Sequence, residues 1–348
     1  LYSSAASDVY KRQLYNGNKR LKTIQQEKLN NQVAELDVAT SENNIQESIA
    51  QVYIQILYAA ESVKVNESTL QVSIAQRDRG QELLNAGSIA KSDFAQLEAQ
   101  VSTDRYQLVT AQATLEDYKL QLKQLLELDG ENEMNIYLPA LSDENVLAPL
   151  PTKKDVYIRA LSLRPEIEAS KLNVEASELG IGIAKSSYLP TISLSAGIGT
   201  NHTSGSDFTF GEQVKNGWNN SIGLSVSVPI FNNRQTKSAV QKAKLQYETS
   251  MLSLLDEQKT LYKTIEGLWL DANSAQQRYA AANEKLKSTQ ISYELISEQF
   301  NLGMKNTIEL LTEKNNLLQA QQEQLQAKYM AILNMQLLKF YQGDQLAI

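Results

Sequence analysis

Residues 251–300 read MLSLLDEQKTLYKTIEGLWLDANSAQQRYAAANEKLKSTQISYELISEQF, and their spacing decides the architecture. Met251, Gln258, Ile265, Ala272, Tyr279, Leu286, Tyr293 and Phe300 recur every seven residues. Leu254, Leu261, Leu268, Ala275, Ala282, Thr289 and Ile296 form a companion row three positions on. Two such rows, sustained without a break, describe a supercoiling helix. From roughly 233 to 300, at about 1.5 Å per residue, that helix is about 100 Å long and has to pack along neighbours of equal length. The rows mix Leu and Ile with Ala, Gln, Thr and Tyr, which suits shallow helix contact in a wide assembly better than a sealed bundle core.

Shifting the chain by 216 positions lays the first part of the sequence on the second without a gap. Leu14-Tyr15-Asn16-Gly17-Asn18 falls on Ile230-Phe231-Asn232-Asn233-Arg234, and Ile49, Ile56, Val63, Leu70 and Leu84 fall on the first apolar row. Asn85-Ala86-Gly87 meets Asn301-Leu302-Gly303, with Asp93 and Glu309 each six positions past the glycine. Each repeat therefore reads as a long helix, a glycine turn and a shorter returning helix, 89–128 in one and 305–341 in the other. Glycine suits the turn because the residue just past a helix end commonly takes a left-handed conformation. In the same register residues 1–13 ought to match 217–229, yet they show no alternation and carry Asp8, Lys11 and Arg12. This stretch reads as foreign, like a translated adaptor, on an N-terminally truncated chain.

All six prolines lie between Pro139 and Pro229. Leu138–Thr152 reads as a linker, 153–163 as a short helix, and Arg164-Pro165-Glu166 as the start of another reaching Ser187, with proline in the first turn where its missing N–H costs little. From Tyr188 the period drops to two. Ile192, Leu194, Ala196 and Ile198 alternate with Ser193, Ser195, Gly197 and Gly199, and Ile222, Leu224, Val226 and Val228 alternate with Ser221, Gly223, Ser225 and Ser227. Such strands, apolar on one face and small and polar on the other, fit either a membrane-spanning hairpin or a soluble hairpin on a core. Aromatic placement favours the membrane: Tyr188 and Phe231 sit at the helix-side ends, and Phe208, Phe210 and Trp218 near the connecting loop, like two interfacial girdles. A lone hairpin cannot close a barrel, so more strands must come from a first hairpin and from other chains.

Composition narrows the chemistry. The 33 basic and 40 acidic residues leave a net charge of −7, which argues against a nucleic-acid binder. There is no cysteine, and His202 is the only histidine, so a Ser-His-Asp hydrolase or a zinc site starts poorly supplied. His202 itself, within Thr200–Gly205, reads as a surface loop residue. No run of 18 apolar residues marks a transmembrane helix, which leaves a β-barrel open. The rival readings are a soluble coiled-coil scaffold with a small β insertion and an enzyme using the carboxylates of the middle segment. The latter lacks a convergent acid, base and nucleophile.

In order and spacing the chain resembles the TolC family of outer-membrane efflux channels over 14–348. The resemblance rests on the duplicated hairpins, Leu163-Arg164-Pro165-Glu166, Tyr188-Leu189-Pro190 and Val228-Pro229-Ile230-Phe231-Asn232. It implies a mainly α chain carrying a membrane β-hairpin. Residues 14–128 and 232–341 form periplasmic helical hairpins, 129–187 an equatorial linker with helices, 188–231 the outer-membrane hairpin, and 342–348 a tail. Three chains share one 12-stranded barrel and a helical tunnel, the strands before Leu14 being absent. The implied role is passive exit, without catalysis or cofactor, in a Gram-negative outer membrane, for a tripartite efflux or type I secretion system. Its partners are two further copies, a periplasmic adaptor, an inner-membrane pump and outer-membrane lipid. Gly87 and Gly303 become tip turns where the adaptor docks. Glu309, Lys305, Phe300 and Asp93 become gate candidates, although the position where relatives carry a second acidic residue holds Thr312. For Asp93 and Glu309 a favourable helix-start charge is the competing reading. Ile192, Leu194, Ile222, Leu224 and Val226 are expected to face lipid, and Ser193, Ser195, Ser225 and Ser227 the lumen.

Overall fold

The computed structural model describes residues 3–128, 136–137 and 146–346 of the chain. Part of the linker assigned to Leu138–Thr152 therefore lies outside the described residues. The chain divides into two units, Leu1–Val38 with Pro165–Gln258 and Ala39–Arg164 with Lys259–Ile348.

Two helix pairs carry the duplication. Helix α1 (Lys19–Asn85) and helix α6 (Gln235–Asn301) are each 67 residues long, and the returning helices α2 (Lys91–Leu125) and α7 (Thr307–Tyr341) are each 35. Both pairs start and stop 216 positions apart, as the sequence offset requires. The backbone repeats more finely still. Among the described residues, those with left-handed φ fall into pairs at the same offset: Gly17 with Asn233, Asn18 with Arg234, Gly87 with Gly303, and Glu127 with Gly343, leaving only Gly205 single. Gly87 and Gly303 share a φ of 74°, and each closes its helix with the same pair of backbone bonds. In the first turn Gly87 N donates to Leu84 O and Ser88 N to Leu83 O; in the second Gly303 N donates to Phe300 O and Met304 N to Gln299 O. This arrangement satisfies carbonyls that the helix end would leave without partners.

Between the pairs lie helix α3 (Lys153–Leu163) and helix α4 (Pro165–Lys185), followed by a single 3-10 turn at Ser186–Tyr188. Thr152 caps α3 by accepting from Asp155 N at 3.3 Å. Arg164 is extended, as a residue before proline tends to be, and this separates α3 from α4.

In the first unit, strands β1 (Ser3–Asn16), β2 (Thr191–Thr203) and β3 (Asn219–Ser227) form an antiparallel sheet in that order. Leu194 pairs with Leu224 and Ser193 with Ser225, so one face gathers the apolar rows and the other the serines and glycines. Residues 1–13 were expected to contribute no strand; instead β1 pairs along β2 from Ser3, with a register break between Gln13 and Tyr15. Backbone N–H and C=O groups make the ladder, and any proline-free stretch supplies them, whatever its side-chain pattern. β1 also begins where the offset places the start of β3. A second difference is helix α5 (Phe210–Gly217) inside the loop between β2 and β3, where no helix was expected. Its N-terminus is set by a capping box: Thr209 N donates to Glu212 Oε2 at 2.9 Å. A third difference is His202, which belongs to β2 rather than to a loop and meets Phe210 edge-on, with ring centroids 5.2 Å apart.

Gly17 allows the turn from β1 into α1. A β-carbon there would stand 2.8 Å from Ser186 O, and φ is already 67°, while Ser186 Oγ donates to Gly17 O at 2.9 Å.

The core of the second unit joins Ile54 and Leu57 of α1 to Ala275 and Tyr279 of α6 and to Leu333 and Leu337 of α7, with Val146 among them. At its edge the buried Arg164 guanidinium lies 4.2 Å from the Tyr341 ring centre and 5.5 Å from that of Phe340, and donates to Glu47 Oε1 at 3.2 Å. A planar guanidinium can stack on rings and pair with a carboxylate at once, which lysine cannot match.

Candidate functional site

The two glycine turns come together. Phe300 of α6, Leu97 of α2 and Leu310 of α7 form one buried cluster, joined by Leu83 of α1, Tyr293 and Leu311. Gln76 Nε2 donates across it to the Tyr293 hydroxyl at 2.8 Å. Phe300 is only 3% exposed, so within the chain it packs the hairpin ends against each other. The residues just beyond the second turn differ in character: Leu302 and Met304 are both 72% exposed. Their repeat counterparts are the small Ala86 and Ser88, so at these two positions the second turn is the bulkier and more apolar.

Glu309 sits three residues into the turn of α7 that Asn306 caps. Asn306 Oδ1 accepts from Glu309 N at 2.9 Å, and Glu309 Oε2 accepts from Asn306 N at 3.2 Å. Its other oxygen takes Lys305 Nζ at 2.5 Å. That ammonium, followed by the Asn306 amide, holds the carboxyl below the usual carboxylate range. Glu309 and Lys305 thus form a charge-balanced pair at the start of α7. Asp93 repeats half of this motif at α2, accepting from Ala90 N at 3.3 Å, with no lysine and no capping side chain.

Deeper between the hairpins lies a polar group that the sequence reading missed. Lys314 of α7, 3% exposed, donates to Asp104 of α2 and to Ser73 of α1, and the Ser73 hydroxyl donates to the same Asp104 oxygen. Gln100 Nε2 donates to the remaining Asp104 oxygen at 2.9 Å. Burial pushes the Lys314 ammonium below its ordinary value, opposed by the Asp104 carboxylate. A charge on an otherwise apolar helix row is the signal that could have found this network: Leu97, Val101, Asp104 on α2, and Leu310, Lys314, Leu317 on α7. Its repeat counterparts are Thr289, Ala320 and Glu98, so the duplication does not advertise it.

On the sheet, Leu194, Ile222, Leu224 and Val226 are exposed and Ile192 is half-buried, all on one face, while Ser193 on the opposite face is buried. The end aromatics Tyr188, Phe231, Phe208, Phe210 and Trp218 are exposed as well. Among the described residues no group of three or more His, Asp or Glu could hold a metal ion, and no helix is long and apolar enough to cross a membrane.

Residues 156–343 match the family model described as outer membrane efflux protein. The chain is 24% identical over 290 residues to the outer membrane efflux protein BepC of Brucella suis biovar 1 (strain 1330), covering 83% of this chain and 60% of that protein. It is 23% identical to the outer membrane protein TolC of Escherichia coli (strain K12), covering 87% and 62%. It thus spans about three fifths of the length of these curated relatives. Crystal structures of CusC, described in connection with transmembrane channel formation, share the fold with a TM-score of 0.82 at 17% identity, covering 99% of this chain and 84% of that one.

Proposed function

The chain belongs to the outer membrane efflux protein family, and from that premise we propose that it works as a passive exit duct across the outer membrane of a Gram-negative cell, catalysing no reaction. Three copies share one barrel and a periplasmic helical tunnel. A periplasmic adaptor carrying cargo from an inner-membrane pump docks on the tips around Gly87 and Gly303. The observation that carries this reading is the sheet's exposed apolar face, Leu194, Ile222, Leu224 and Val226, in a chain whose other parts are two long helical hairpins. A soluble scaffold would have to leave that face in water, against the hydrophobic effect; lipid covers it.

Ile192 joins the lipid-facing row, Ser193, Ser195, Ser225 and Ser227 line the lumen, and Tyr188 and Phe231 mark the periplasmic interface. Glu309 with Lys305 forms the narrow ring of the gate, Asp93 flanks it, and Phe300 holds the hairpin ends that must part for opening. Residues 1–13 do not suit the barrel: Asp8 pairs with Ile198 and Arg12 with Leu194, which puts two charges on the lipid side. We read their side chains as foreign to that strand position.

Separation of inner and outer membranes from cells expressing the protein, with chemical cross-linking, tests the reading. Recovery in the outer-membrane fraction as a cross-linked trimer supports it. A soluble, uncross-linked protein contradicts it.

A further inference from the structure

Helix α5 occupies a definite place beside the sheet. β3 ends its pairing with β2 at Asn219 opposite Gly199, so Thr200–Thr203 continue with a free edge. α5 fills that edge: Thr203 N donates to Gln213 Oε1 at 2.8 Å, and Thr200 Oγ1 donates to Val214 O at 3.2 Å. A β-carbon on Gly217 would lie 3.2 Å from Asn201 N, so the helix backbone comes close to the strand. The contacts also choose a side. Thr200 and His202 continue the row of Leu194 and Ile198, and their side chains meet α5 at Val214 O and the Phe210 ring, whereas on the other face Asn201 is exposed and Thr203 meets α5 through its backbone N–H.

From this placement we propose that α5 is an outer-leaflet anchor. It folds to the lipid side of the hairpin, not over the barrel mouth, and seats Phe210 and Trp218 among lipid headgroups. The inference rests on the proposed lipid-facing reading of the sheet and extends it past the last strand pair. Phe210, the first residue of α5, and Trp218, just past its end, are 65% and 56% exposed, beyond Leu194, Ile198 and Ile222 along the strands. Glu212 and Lys215 give the helix one charge of each sign, so the rings and not a net charge supply its attraction to the interface. Aromatic rings prefer that depth because one part of the ring meets hydrocarbon and another meets water.

Because the chain has no cysteine, single-cysteine variants report one position each. Phe210→Cys, Trp218→Cys, Leu224→Cys and Ser225→Cys, nitroxide-labelled in trimers reconstituted into phosphatidylcholine vesicles, are compared for access to oxygen and to a water-soluble nickel complex. The labels at 210 and 218 are expected to favour oxygen over nickel several-fold more than the Ser225 label, at a shallower depth than the Leu224 label. If Leu224 reads as lipid while both 210 and 218 read as water, the anchor is wrong and the sheet assignment stands. If Leu224 also reads as water, both fall. Using two positions on α5 keeps the test decisive should one variant fail to assemble.

Discussion

Lys314 and Asp104 hold opposite charges where almost no solvent reaches, and the cost of breaking such a pair exceeds the benefit of having it. Asp104→Ala leaves a buried ammonium without its counter-ion and is expected to destabilise the helical unit by about 3–5 kcal/mol in denaturant titration. Lys314→Met likewise strands the buried Asp104 carboxylate, held then only by Ser73 and Gln100, and is expected to cost a similar amount, whereas replacing both charges together with apolar residues should cost far less. The pH dependence follows from the lowered Lys314 value. Between that value and 10.5 the unfolded chain binds more protons at this site than the native one, so stability from this residue rises with pH. The wild type should therefore gain on Lys314→Met as pH climbs from 7 toward 10.5; a constant gap would contradict the assignment. Glu309 is a different case, being exposed, paired with Lys305 and part of a helix cap. If the pair rings the pore, Glu309→Gln unmasks Lys305 and should move the reversal potential of reconstituted channels toward anion selectivity. An unchanged reversal potential would leave Glu309 as a cap alone. The sequence offered both roles for Glu309, because the first turn of a helix and the mouth of a pore favour the same carboxylate.

At the scale of elements, the helices were legible to within a few residues because two independent copies of one pattern constrain each other: heptad rows, glycine turns and offset all agree. Gly87 and Gly303 meet no atom where a β-carbon would go, so alanine there costs only backbone conformation. Gly87→Ala and Gly303→Ala are each expected to lower stability by about 1 kcal/mol, read from denaturant midpoints, and by similar amounts if the turns are equivalent. What the sequence left hidden has identifiable causes. α5 is eight residues long with a single turn of capping signal, too short for periodicity to reveal. β1 pairs through its backbone, and its side chains carry no alternation to read. The Lys314 network needs three helices at once, and no spacing within one of them specifies the other two. For the hairpin, Leu224→Arg places a charge on the proposed lipid face, worth about 2–4 kcal/mol at mid-bilayer, while Ser225→Arg faces the lumen. Trimer yield in detergent extracts should fall sharply for the first and little for the second. Equal yields would refute the facing. By the same reasoning, replacing Asp8 and Arg12 together with leucine should raise the assembled fraction.

For the whole molecule, one physical demand links the parts. A three-stranded sheet with an apolar face has edges and surface it cannot cover by itself, and a bilayer tolerates neither an open edge nor an unpaired backbone. In the proposed duct neighbouring copies close the sheet edge, lipid covers the apolar face, and the serine and glycine face is left to water. The helical hairpins meet the same demand differently: exposed apolar residues such as Leu245 and Leu252 on α6 and Tyr106 and Val109 on α2 are available for other chains to cover. The functional object we propose is a three-chain membrane duct. Electron cryomicroscopy of the purified protein in lipid nanodiscs tests it most directly. A three-fold particle is expected, with the 189–229 hairpin of each chain lying within the disc around a common lumen; single chains outside the discs, or a helical assembly with no density crossing the lipid, would rule it out.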